Sequence, residues 1–434
     1  MKKINLISLG CSKNLIDTER LMSQLSRNHF QLQFEPENLN DQADAVIINT
    51  CGFIHDAKEE SIGVIFEQIA AKNEGRVGKV YVMGCLSERY RDELTLEIPE
   101  LDGVFGVNDI PSIVASLQGV FDAERFYDRK LTTAAHFAYM KISEGCDRNC
   151  SFCAIPSIRG KHVSVPLEKL VSEAQYLASQ GVKELLLIAQ DLSYYGYDLY
   201  KKSRLADLLK ALTAVPGIEW IRLHYAYPHK FPIEVIDLMA SEPKICKYLD
   251  IPFQHIHNTV LKNMRRNVTS EQTYDLIREI RNRVPDIALR TTLMVGHPGE
   301  TEEAFEALKD FVREVRFDRL GVFTYSEEEG TYGALAFEDS IPEDVKTARA
   351  DEIMSLQQEI AFQKNTNLEG RILKVIIDRK EGDYYIARSE FDSPEVDNEL
   401  LVSASKELSI GSFQWVQVTS AEAFDAYADW LREA

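Results

Sequence analysis

Short, uniformly apolar runs alternate with stretches of helical periodicity along most of this chain, and that alternation leaves few folds open. Lys3–Leu9, Ala45–Asn49 and Lys79–Met83 are runs of the kind buried on both faces of a parallel sheet. Between them, Asn14–Arg27 and His55–Ala71 repeat apolar residues at three- and four-residue spacing, as amphipathic helices do. Residues 1–120 therefore read as an open α/β domain. A longer alternation follows, with strand candidates Ala138–Ile142, Glu184–Ile188, Trp220–Tyr225, Tyr248–Pro252, Ala288–Val295 and Arg319–Tyr325. Helical patterns separate them at Leu167–Ser179, Arg204–Ala214, Pro232–Ala240, Ser270–Arg283 and Glu302–Glu314. Six β/α units in series predict a full or partial β/α barrel whose chemistry sits on loops after the strands. With the linker helix Pro342–Asn365, this second domain covers 132–364. Beyond it, Arg371–Asp378, Asp383–Arg388, Asn398–Ser403 and Gln414–Ser420 are short β-like runs parted by Gly, Asp and Pro. They predict a small antiparallel β-barrel over 365–434. At about 150 residues per domain, 434 residues agree with three domains.

Composition narrows the function classes. An apolar fraction of 45% excludes a disordered or fibrous chain. The longest apolar stretches, such as Leu185–Ala189, are too short to span a bilayer. The chain opens onto the strand-like Ile4–Leu9 without the apolar region and cleavage site of a secretory signal, so a cytoplasmic protein is expected. Lys and Arg number 49 against 69 Asp and Glu, a net charge of −20. Such a surface repels phosphate backbones, so nucleic acid is not the expected substrate and basic proteins are easier partners.

Seven cysteines in a cytoplasmic chain do not suggest a disulfide scaffold. Cys146, Cys150 and Cys153 follow the first barrel strand in a C-x3-C-x2-C spacing, on a loop that can aim three sulfurs at one point. Four thiolates normally hold an iron–sulfur cluster, and three leave one iron open to a small ligand. A zinc knuckle would want a fourth Cys or His at short spacing, and the nearest candidate is His162, beyond Pro156. Cys11, Cys51 and Cys85 each close a separate predicted strand of the first domain. Parallel strands bring those ends to one sheet edge, where ligands of such sheets collect, so a second cluster is expected there. Cys246 has no partner at motif spacing and reads as a structural thiol.

The spacing of Cys146, Cys150 and Cys153, with Phe152 just before the third, resembles the radical S-adenosylmethionine (SAM) enzymes. The resemblance implies that the open iron binds SAM and that an electron cleaves it to a 5′-deoxyadenosyl radical. With a second cluster and a small C-terminal barrel, the three-part order is similar to the methylthiotransferase family over nearly the whole chain. That likeness implies an N-terminal cluster domain, a radical SAM (β/α)6 partial barrel and a TRAM domain of OB-like fold. It further implies two 4Fe-4S clusters and two SAM molecules, one as methyl donor and one as radical source, and an electron donor of flavodoxin or ferredoxin type. Some members modify adenosine in tRNA; others modify an aspartate of small-subunit ribosomal protein twelve, free or in the ribosome. Ser8-Leu9-Gly10-Cys11-Ser12-Lys13-Asn14, Asn49-Thr50-Cys51-Gly52-Phe53-Ile54 and Gly84-Cys85-Leu86-Ser87-Glu88-Arg89-Tyr90 resemble the ribosomal-protein branch, as does Lys141-Ile142-Ser143-Glu144-Gly145-Cys146. Residues 365–434 carry seven Lys and Arg against fourteen Asp and Glu, a net −7 that suits a basic ribosomal protein better than RNA.

The resemblance also offers SAM contacts. Gln190 and Asp191 end the second barrel strand, where many radical enzymes carry Gly-Gly-Glu, and Gln190 suits a polar contact there. Gln254 ends the fourth strand and could meet the ribose. Arg290 on the fifth could pair with the SAM carboxylate or with a neighbour at the barrel edge. Gly296, in Gly296-His297-Pro298-Gly299-Glu300, would let backbone approach the adenosyl group. His297 stands where the family usually has Phe, and radical abstraction needs no base. His255 and His257 read as loop polar groups. A non-catalytic, zinc-stabilised module docking on the ribosome is the competing class.

Overall fold

The computed structural model describes residues 2–36 and 42–434. The chain forms two compact units: Met1–Thr133 with Tyr139–Arg148 and Cys153–Val165, and Ala134–Ala138 with Asn149–Phe152 and Pro166–Ala434.

In the first unit five parallel strands lie in the order Gln31–Phe34, Lys3–Ser8, Ala45–Thr50, Val80–Gly84, Gly103–Val104. Side chains alternate across the sheet, so successive residues feed two cores. Ile4, Leu6, Ile47 and Tyr81 pack with Leu21 and Leu25 of helix Ser12–Arg27 and with Ile113. Ile7, Val46, Ile48 and Val82 pack on the other face with Ile65 and Ile69 of helix His55–Asn73. Burial on both faces is why these strands are continuously apolar. The edge strands Gln31–Phe34 and Gly103–Val104 are additions to the sequence reading.

The second unit is built on a six-stranded sheet in which each strand lies beside its successor in sequence. From the far edge it runs Arg319–Thr324, Ala288–Val295, Ile245–Asp250, Trp220–Leu223, Glu184–Ile188 and the strand that begins at Phe137. The sheet does not close, so the barrel is partial. Helix Ser270–Arg283 shows why its boundary was readable. Thr269 Oγ1 accepts from Gln272 N and Gln272 Oε1 accepts from Thr269 N, a reciprocal capping box. Helix Glu343–Thr366 packs against the sheet and is tied to it by Gln357 Nε2 donating to Phe317 O at 3.0 Å.

The last segment closes into a five-stranded barrel of Ile372–Glu381, Tyr384–Ser389, Glu399–Ser403, Asp425–Glu433 and Phe413–Ala421. Val375, Ile377, Tyr385, Ala387, Val402, Val416 and Ala428 fill it. A buried ionic chain joins it to the parallel sheet. Glu184 takes Arg222 Nε and Arg388 Nη2, each at 2.8 Å, and Arg388 Nε reaches Asp378 at 2.6 Å. Asp378 also meets His136 Nε2 at 2.7 Å. Among the described residues no helix is long and apolar enough to cross a membrane.

Candidate functional site

Cys11 stands just before helix Ser12–Arg27, Cys51 just after strand Ala45–Thr50, and Cys85 opens helix Cys85–Arg89 directly after strand Val80–Gly84. One side chain binds the first two loops together: Asn14 Nδ2 donates to Leu9 O at 2.9 Å and to Thr50 O at 3.1 Å. Its Oδ1 lies 3.5 Å from Cys85 Sγ and accepts from Arg159 Nη2 at 2.6 Å. Thr50 Oγ1 reaches Met83 O at 2.7 Å and Ser87 Oγ at 3.0 Å, tying the Cys51 loop to the Cys85 turn. Ser61 Oγ accepts from Cys51 N at 2.9 Å and donates to Cys51 O at 3.0 Å, fixing that loop's backbone. The approach is close enough to demand glycine before Cys11. Gly10 has φ +87°, and a Cβ there would stand 2.9 Å from Cys51 Sγ.

Electrostatics couple the three thiols. Burial pushes Cys85 up to about 11, against the opposing pull of Arg159. Burial also raises Cys51, helped by the Cys11 charge. Cys11 reaches solvent, yet protein atoms crowd its sulfur and push it up; Lys13, Arg159 and the amides of Asn14 and Lys13 outweigh that and leave it below the ordinary thiol value. Arg159 is buried and reaches all three fields. It also pairs with Asp17 at 3.2 Å and Glu144 at 3.0 Å, both of which Lys141 holds at 2.5 Å. Among the described residues no three His, Cys, Asp or Glu side chains close on a single metal ion. A cubane puts each thiolate on a different iron and asks for a wider spread, which three cysteine loops gathered around the Asn14 and Arg159 side chains fit.

The second set lies between strand Ser143–Glu144 and helix Ile155–Arg159. Cys146 and Cys153 fall in the first unit and Cys150 in the second. All three are half-buried. Cys146 N donates to Gly160 O at 3.1 Å, and Arg148 N to Cys146 Sγ at 3.4 Å. In the second unit Arg266 Nη1 donates to Cys150 Sγ at 3.4 Å, and Tyr227 Oη stands 3.8 Å from it. A backbone N–H on the Cys146 sulfur and a buried cation on the Cys150 sulfur suit thiolate ligands of a cluster.

The other sequence candidates occupy varied places. Phe152 packs with Val260, Met264 and Ala304 and meets the His297 ring edge-on at 6.4 Å. Gln190 lies two residues past strand Glu184–Ile188; Asp191 beside it accepts from Ser193 N at 2.9 Å. Gln254 is buried in a left-handed conformation, φ +70°, with its backbone bridged to the fifth strand at Thr292 and Met294. Arg290 meets Asp250 at 3.3 Å and Asp397 at 3.4 Å, the barrel-edge pairing. Gly296 has φ +77°, and a Cβ would strike the Lys346 side chain. His297 is buried between Ser151 Oγ at 3.0 Å and Pro298 O at 3.1 Å, and burial drives its pKa down to about 4. His255 faces Glu300 at 3.3 Å. Cys246 is sealed among Trp220, Tyr248 and Phe413, and burial raises it to about 12. Sequence reading missed Asn14, Arg159, Tyr227 and Arg266. The one signal for Arg159 was its place six residues after Cys153, just before a glycine.

Comparison with known proteins places the chain in a family. Three family models match: an uncharacterized protein family, UPF0004, over residues 3–106, the radical SAM superfamily over 140–312, and the TRAM domain over 370–431. The ribosomal protein uS12 methylthiotransferase RimO of Bacteroides thetaiotaomicron is 54% identical over 433 residues, covering 100% of this chain and 99% of that one. The protein of the same description from Flavobacterium johnsoniae is 54% identical, covering 98% of each. The chain belongs to the RimO methylthiotransferase family. Solved structures share the fold at lower identity. The radical SAM methyltransferase TsrM from Kitasatospora setae aligns with a TM-score of 0.56 at 16% identity, over 74% of this chain and 73% of that chain. The cobalamin-dependent SAM radical enzyme OxsB aligns at 0.52 and 14% identity, over 83% and 56%. RimO family membership, not these distant folds, bears on the reaction.

Proposed function

We propose that the chain is a radical SAM methylthiotransferase that places a methylthio group on the β-carbon of an aspartate in ribosomal protein uS12. Two SAM molecules serve it, one as methyl donor and one as radical source. The observation that carries this reading is full-length identity of 54% to relatives of that description in a chain bearing both cysteine sets. Cys146, Cys150 and Cys153 would hold one 4Fe-4S cluster, and Cys11, Cys51 and Cys85 the other. When bound, the clusters supply one-electron reduction of SAM and an iron site for sulfur. The chain's own work is to hold six thiolates, to bury the countercharges Arg159 and Arg266, and to keep the barrel interior dry.

Phe152, Gln190, Gln254, Gly296 and Arg290 belong to the proposal as SAM contacts, although Arg290 already serves two carboxylates. So do the division into 1–120, 132–364 and 365–434, a cytoplasmic location and a donor of flavodoxin or ferredoxin type. The C-terminal barrel's net −7 supports a basic protein as substrate over tRNA. Mass spectrometry of uS12 from a deletion strain tests the assignment. The protein is expected to lose the mass of the modification and regain it on complementation. Unchanged uS12 together with missing methylthio-adenosine in tRNA would overturn it.

A further inference from the structure

Arg266 differs from the other buried arginines of its unit. Arg222, Arg349 and Arg388 each hold a carboxylate. Arg266 is 3% exposed and has no carboxylate at ion-pair distance among the described residues. Its Nη1 donates to Cys150 Sγ at 3.4 Å, its Nη2 to Pro252 O, and its Nε–H is buried without an acceptor. The guanidinium lies over the Tyr227 ring, 4.3 Å from the centroid, and Tyr227 Oη donates to Arg266 O at 2.7 Å. The neighbours Arg265 and Asn267 both adopt left-handed backbone, φ +56° and +54°. Arg265 N donates to Lys262 O and Arg266 N to Leu261 O, each at 3.0 Å, so this turn is the C-terminal cap of helix Asn258–Asn263 and fixes where the Arg266 side chain starts.

An uncompensated buried cation costs several kcal/mol. A carbonyl and an aromatic face offset only part of that. The group that Nη1 meets directly is the Cys150 sulfur, which is a thiolate when it ligates a metal, and the Asp191 carboxylate acts on the guanidinium from farther off. We infer that Arg266, clamped by Tyr227, is a positioning residue that supplies the countercharge of Cys150 and raises the reduction potential of the cluster held there. The inference rests on the reading of Cys146, Cys150 and Cys153 as cluster ligands. Positive charge and hydrogen bonds at a ligand sulfur favour the state with the extra electron.

The test is an EPR-monitored potentiometric titration of the full-length chain carrying Cys11→Ala, Cys51→Ala and Cys85→Ala, so that one cluster contributes. The Arg266→Met variant is expected to bind about four irons. Its midpoint should fall by at least about 59 mV, a tenfold loss of the reduced state for one electron. Arg266→Lys, which keeps the charge, and Tyr227→Phe, which loosens the clamp, should shift less in the same direction. A loaded Arg266→Met with the parent's midpoint overturns the inference. If Arg266→Met takes up no iron, Arg266→Gln and Tyr227→Phe decide instead: a lower midpoint in either supports the inference, and unchanged midpoints in both overturn it. A parent that binds no iron contradicts the underlying cluster reading, a result distinct from an unchanged midpoint.

Discussion

The two cysteine sets are assembled by opposite means. Cys146, Cys150 and Cys153 lie within eight residues, so chain connectivity alone keeps them near one another. Cys11, Cys51 and Cys85 are brought near only because three strands run parallel and adjacent, and because Asn14 stitches their loops. The first set would survive much damage to the sheet. The second depends on the whole N-terminal fold, and on Arg159, whose charge reaches all three of its sulfurs. A short motif marks a ligand set; a folded edge can make one without a motif.

The largest expected contrast is in products. Cys150→Ala should abolish both SAM cleavage and methylthio transfer. Cys85→Ala should abolish transfer while 5′-deoxyadenosine still forms, as chromatography of single-turnover reactions can check. Equal loss of both products in the two variants would erase the distinction between the sets.

Arg159→Met sharpens the comparison next. Removing it takes from Asp17 and Glu144 a cation they share beside Lys141, and breaking such a buried pair costs about 3–5 kcal/mol. Iron affinity at Cys11, Cys51 and Cys85 should drop by about 10–100-fold, as for lost outer-shell partners generally. Arg159→Lys should recover part of it. Chelator competition on the variant lacking Cys146, Cys150 and Cys153 reads this without interference.

A similar cost is expected on the other unit for Glu184→Ala, about 3–5 kcal/mol in denaturant unfolding, because Arg222 and Arg388 lose their shared carboxylate. Burial works to raise the Glu184 pKa, but Arg388 and Arg222 hold it below the ordinary Glu value. Its contribution is therefore present above that ordinary value, about 4.3, and is lost as pH falls through the lower folded value. An acid-unfolding midpoint that does not move in Glu184→Gln would exclude this role.

The smallest effect is kinetic. In metal-free protein at neutral pH, alkylation followed by peptide mapping should label Cys11 before Cys51 and Cys85, since the thiolate is the nucleophile. Cys85, near 11, should react last.

What was readable in the chain follows the same divide. Buried strands such as Glu184–Ile188 and Ala288–Val295 announce themselves by apolar runs, and the matching boundaries reflect that. The strand Asp425–Glu433 was missed because its sequence, Asp-Ala-Tyr-Ala-Asp-Trp-Leu-Arg-Glu, is polar and half exposed; pairing on both sides makes it a strand. Trp220–Leu223 ends earlier than its apolar pattern because Tyr225 turns left-handed at φ +65°. The cysteines were visible by spacing and by strand ends. Arg159, Arg266 and Asn14 were not, because a charged or amide side chain in a loop or at a helix start looks like surface until the fold buries it.

One measurement bears most directly on the pairing of a local and a dispersed thiol set: iron and sulfide counts after anaerobic reconstitution, for the parent and for Cys11→Ala/Cys51→Ala/Cys85→Ala. About eight irons falling to about four is the predicted result. A parent that stops at about four and a triple variant that matches it would contradict it.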